Sequence, residues 1–180
     1  MKYIWFIVLF LAAHGGFSQD KAELHFIEHL LNKGNYKEVI FLTDRDSLKF
    51  SPVQQDSVNF YKGWAQYSLK ELDLSTSSFL KVGKGSPFYS KSQFFAGYNQ
   101  IYLGRYAEAR KIFGEQTFDE GPKQSLANFE LSGIDMLEGN WSKAGEQLGR
   151  IDRDVAFLNQ HVSALQQIGK EKQTHRKKSA

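Results

Sequence analysis

Five consecutive residues, His25-Phe26-Ile27-Glu28-His29, hold the densest set of side chains able to do chemistry. On a helix, two histidines four apart share a face and can hold a zinc ion, and the glutamate beside them can act as general base toward a metal-bound water. Such a centre needs a third protein ligand and a walled cavity. Glu108 qualifies by sequence distance alone, and His161 and His175 lie far downstream. The preferred reading is therefore a charged, solvated helix face, with a zinc metallohydrolase at His25, Glu28 and His29 as the alternative. Asp44, Asp46 and Asp56 lack the glycine and glutamate of a calcium loop. No glycine-rich phosphate loop, GxSxG elbow or Ser/His/Asp constellation occurs. With no cysteine at all, disulfides, thiolate metal sites and cysteine nucleophiles are excluded. The expectation is a protein that is not an enzyme and has no metal, catalytic residue or cofactor.

The elements that would carry these residues begin after a leader. Lys2 is followed by an apolar run from Tyr3 to Ala13, with small residues Gly16 and Ser18 ahead of a cleavage point. That is the pattern of a secretory signal at 1–18. The run is short of the roughly 20 residues that span a bilayer, so the reading is export, to a periplasm or cell envelope. An uncleaved anchor or secretion is the alternative. The remainder, with 24% charged and 41% hydrophobic residues over the 180-residue chain, suits about one globular domain and excludes disorder and collagen.

Within that domain the sequence repeats. Tyr36, Leu72, Tyr106 and Trp141 are spaced by 36, 34 and 35 residues. Three residues after each come Val39, Ser75, Ala109 and Ala144, and seven after each come Thr43, Phe79, Phe113 and Leu148. A second register runs upstream, through Leu24, Phe60, Phe94 and Phe129, with small residues Gly63, Gly97 and Ser132. Pro52, Pro87 and Pro122 fall at the boundaries between repeats. A period near 35 with apolar residues at helical spacing predicts a pair of helices per unit. The predicted turns hold Gly34, Lys70, Gly104 and Gly139, where a left-handed residue can end the first helix. Asn35, Glu71, Arg105 and Asn140 then open the second.

These units resemble tetratricopeptide (TPR) repeats. Ala96-Gly97, Leu103-Gly104, Tyr106, Ala109 and Phe113 stand in family order, the fourth unit follows closely, and the first two depart at Val39, Ser75 and Lys70. The resemblance covers about residues 20–151 and implies an all-α, right-handed α-solenoid of about four TPR-like helix pairs. A stripe of Val155, Leu158, Val162, Leu165 and Ile168 adds a ninth, capping helix over 152–169, with Asp152 or Asp154 as its cap and His161 beside the stripe. The domain is thus expected to run over 19–169.

The resemblance further implies a groove lined by the first helix of each pair. Its matching positions include Phe60, Trp64, Tyr67, Phe94, Tyr98, Tyr102, Phe129 and Met136. Family members that clamp a C-terminal carboxylate use lysine and asparagine there; these aromatics instead favour an apolar peptide, a partner helix or a second copy of the chain. The expected function is a non-enzymatic scaffold that binds another protein or peptide.

Lys170, Lys172, Arg176, Lys177 and Lys178, against Glu171 alone, give residues 170–180 a net charge of +4, more than the +3 of the whole chain. Residues 170–180 are read as a basic, flexible tail able to touch a membrane surface. Basic residues gathered on a folded face, as nucleic acid requires, are not found. An alternative organisation is the soluble part of a longer, membrane-anchored protein.

Overall fold

Four turns of one kind set the architecture. The computed structural model describes residues 21–45, 50–115, 122–151 and 156–178; the leader at 1–18, Asp46, Asp152 and Asp154 lie outside them. Gly34, Lys70, Gly104 and Gly139 all have positive φ, between 65° and 77°. Each donates its N–H back three residues, to Leu31, Tyr67, Ile101 and Met136. The following residue, Asn35, Glu71, Arg105 or Asn140, donates back five, to the carbonyls of Leu30, Gln66, Gln100 and Asp135 at 2.7–3.0 Å. This is the Schellman closure, which satisfies carbonyls orphaned at a helix end. The same residue's carbonyl then accepts from Val39, Ser75, Ala109 or Ala144, the first bond of the next helix. One residue therefore ends one helix and starts another.

Every regular element among the described residues is a helix. In order these are α1 (21–32), α2 (Tyr36–Thr43), α3 (Pro52–Ser68), α4 (Leu72–Leu80), α5 (Tyr89–Tyr102), α6 (Tyr106–Glu115), α7 (Pro122–Leu137), α8 (Trp141–Gly149) and α9 (Ala156–Lys178). The start of α3 shows local determination clearly. Ser51 caps it in a reciprocal box with Gln54, at 3.4 and 3.0 Å, and Pro52 occupies the first turn, where no donor is missed. Pro122 likewise opens α7, whereas Pro87 lies in the turn before α5.

The helices gather into two units that meet at Ser92–Gln93, inside α5. In the first, α3 packs on both α2 and α4, around Ile27, Val39, Val58, Phe60, Ala65 and Phe79. Ser75 holds a position that the other repeats fill with Val39, Ala109 and Ala144, and all four are wholly buried. Its hydroxyl donates to the Gly63 carbonyl at 2.9 Å, so the serine is accommodated without an unpaired polar group. In the second unit, α7 packs on α6 and α8, and α8 on α9, around Ala109, Phe113, Ala127 and Ile134 and around Leu148 and Ile151.

Two glycines set helix approach within these pairs. A Cβ on Gly63 would stand 2.7 Å from the Phe79 ring, and one on Gly97 would stand 2.7 Å from the Phe113 ring. At the position aligned with these glycines the first repeat has Ile27, which is wholly buried, and its register holds Thr43 where the others hold Phe79 and Phe113. In α3 and α5 a large ring therefore pairs with glycine, as close packing demands.

The carboxyl-terminal helix differs from expectation. The sequence reading ends it at 169 and makes 170–180 a flexible tail, but α9 continues to Lys178. Lys, Gln, Glu and Arg are good helix formers, and cations favour a helix C-terminus. Gln167 also donates to Glu171 one turn on, at 2.8 Å. The basic cluster therefore stands on a helix. No helix among the described residues is long and apolar enough to cross a membrane.

Candidate functional site

The histidine pair of α1 is exposed. His25 Nδ1 lies 3.6 Å from Glu28 Oε2, with the histidine side chain 72% accessible, and His29 is also exposed. Glu28 has another partner, the Tyr61 hydroxyl of α3. Burial, and then the charge and hydrogen bond of Glu28, push the Tyr61 hydroxyl above its ordinary pKa. The carboxylate thus ties α1 to α3. Among the described residues no group of three His, Asp or Glu gathers where a metal could sit.

The eight aromatic and apolar residues expected to line a groove have different surroundings. In the first unit Phe60 is buried, stacked on Phe88 with centroids 4.5 Å apart and 5.9 Å from Phe79. It belongs to the core, because Gly63 one turn on lets the Phe79 ring in against the same helix. Trp64 and Tyr67 are half-buried, 5.9 Å from each other. Lys91 Nζ stands 5.0 Å from the Trp64 ring and 5.4 Å from Phe60, a cation–π arrangement at the edge of the cluster.

In the second unit three rings ascend α5. Phe94 stacks on Tyr98 at 6.1 Å, and Tyr98 meets Tyr102 edge-on at 5.0 Å. Phe94 also reaches the Phe113 ring at 5.9 Å. Tyr102 is 60% exposed. Phe129 and Met136 are half-buried against Leu148 and Ile151.

Met136 also borders two adjoining hollows of this second unit. One, of about 430 Å³, is walled by Ile101, Glu130, Gly133, Ile134 and Leu137. The other, of about 310 Å³, is walled by Gly145, Leu148, Gln166, Gly169 and Lys170. Met136, Trp141 and Leu165 line both. Burial pushes the Glu130 carboxyl above the usual glutamate range, and no cation or donor among the described residues offsets it. Leu137 is 70% exposed at the rim of the larger hollow.

Elsewhere in the unit charge is well matched. Arg110 Nη2 donates to Asp135 Oδ1 and to Glu138 Oε2, both at 2.7 Å. Burial works against the guanidinium charge, but hydrogen bonds to the two carboxylates more than offset it and the Arg110 pKa is raised. Asp135 is 1% exposed, so removing Arg110 would strand a buried carboxylate. Glu130 differs from Asp135 in having no cation partner among the described residues.

Comparison with protein-family models, curated proteins and solved structures finds no match. Sequence reasoning singles out Met136, Trp141 and Leu165, as a groove position, a repeat anchor and a capping-stripe residue. It misses Glu130 and Gly133. The available signal was a glutamate between Phe129 and Leu131 in an otherwise apolar stretch, followed by a glycine inside a helix with no turn to make.

Proposed function

We propose that the chain is an exported, TPR-like α-solenoid whose work is to hold another protein, by binding and not by catalysis. The observation that carries this reading is the set of rings on the first helices of the repeats that stay at the surface after folding. Trp64 and Tyr67 on α3, and Tyr98 and Tyr102 on α5, are half-buried or exposed. Tyr and Trp are the residue types that concentrate binding energy when a partner covers them. The repeated turn geometry and the small residues at Gly63 and Gly97 support TPR-like pairing. The leader pattern at 1–18 supports export.

Trp64→Ala combined with Tyr98→Ala is expected to abolish partner capture from the native cell envelope while far-UV circular dichroism and melting change little. A protein retained by the wild type and lost by the folded double variant supports the reading. Undiminished retention by that variant overturns it.

A further inference from the structure

The hollows of the second unit are open where a helix would ordinarily be filled. Gly133 in α7, Gly145 in α8 and Gly169 in α9 line them, and among the described residues a Cβ on Gly133 or Gly145 would meet nothing within 4 Å. None has positive φ, so neither the backbone nor a close neighbour requires glycine, unlike Gly97 or Gly139. Each weakens its helix relative to alanine. What glycine does at these places is keep the walls recessed. The larger hollow is apolar on most sides, yet carries Glu130 without a cation among the described residues. A half-buried carboxylate in apolar surroundings is costly until an opposite charge reaches it.

We propose that the larger hollow, whose lining holds Glu130 and no cation, is a docking site for a basic amphipathic segment of a partner protein, which seats apolar side chains against Met136, Trp141 and Leu165 and places a lysine or arginine beside Glu130. This rests on the reading of the chain as a binding module and names the chemistry of what it binds. The apolar anchors supply contact area, and the volume suits one or two large side chains. The carboxylate supplies selection, since an acidic segment of equal hydrophobicity would meet like charge in a poorly solvated place.

The test is calorimetric titration of the full chain, at about 150 mM salt to screen distant charges, with an 18-residue leucine/lysine amphipathic peptide and a leucine/glutamate peptide of the same length and pattern. The chain's own net charge of +3 favours the acidic peptide, so a preference for the basic one reports the local site. Expected are at least tenfold tighter binding of the leucine/lysine peptide, loss of most of that preference in Glu130→Gln, and loss of binding in Gly133→Leu, whose side chain fills the hollow. Gly133→Leu should melt at or above the wild-type temperature, which separates a blocked site from an unfolded one. Equal binding of the two peptides, no binding at 1 mM, or binding undiminished in folded Gly133→Leu overturns the proposal. The Trp64/Tyr98 capture experiment reads different residues, so it stands or falls separately.

Discussion

Lys70 is the non-glycine residue with positive φ among the described residues, at 65°. A left-handed conformation costs an L-residue about 1–2 kcal/mol. Its Nζ lies 5.4 Å from the Tyr67 ring, an exposed contact worth about 0.5 kcal/mol. Lys70→Gly is therefore expected to stabilise the chain by about 0.5–1 kcal/mol, while Lys70→Ala, which keeps the strain and loses the contact, should destabilise it. Urea midpoints for the pair check this. Glu130 poses a titration question. Its folded pKa is raised by burial, so the folded state binds the proton more tightly than the unfolded state. Stability then falls as pH rises from the ordinary glutamate value through the raised one, and stays reduced above it. Glu130→Gln should accordingly be more stable than wild type at neutral pH, with the gap closing in acid; melting temperatures at pH 4 and pH 7 measure it. A gap independent of pH would refute the assignment.

Helix pairs show why one substitution can have opposite signs. Gly97 and Gly133 both lie inside helices, where alanine gains about 1 kcal/mol in propensity. At Gly97 the added methyl would stand 2.7 Å from the Phe113 ring, and overpacking of this kind costs about 1–3 kcal/mol. At Gly133 the methyl meets nothing within 4 Å. Gly97→Ala is expected to lower stability by about 1 kcal/mol and Gly133→Ala to raise it by a similar amount. Denaturant unfolding of the two variants decides the matter, and equal shifts would sink the argument. The turns belong to this scale as well. Because one residue closes a Schellman motif and opens the next helix, a shift of a single residue there would move every buried position downstream.

For the molecule as a whole, α9 matters because it covers the apolar cluster at Leu148 and Ile151. Val162 and Leu165 pack against the Leu148 and Ile151 cluster, and both are half-buried. Val162→Ala with Leu165→Ala should cost about 2 kcal/mol, since each removes methyl groups from a partly covered site. The expected readout is a lower melting temperature together with faster hydrogen exchange in α8. Unchanged exchange in α8 would mean that α9 contributes little to covering that cluster.

How much of this was legible in the sequence follows from the range of the forces involved. The period, the turn positions and the buried small residues at Ser75, Ala109 and Ala144 depend on neighbours within one helix pair, so local pattern suffices to place them. Residue types alone also exposed the His25, Glu28 and His29 cluster, but its carboxylate proved to be engaged by Tyr61, a residue 33 positions away. Tertiary packing decided which aromatics sink and which stay at the surface: Phe60 and Trp64 are one turn apart on α3, yet Phe60 is buried against Phe79 and Phe88 while Trp64 is half-buried. It also decided that Glu130 sits among apolar walls without a cation among the described residues, and that a Cβ at Gly133 would meet none of them within 4 Å. Those properties arise where α5, α7, α8 and α9 converge, and no single segment carries the information. The sequence by itself determined the repeating helices and their turns, because these are closed by short-range hydrogen bonds and by burial at helical spacing. Only the tertiary structure decided the surfaces offered for binding, because exposure and desolvation depend on which distant helices come together.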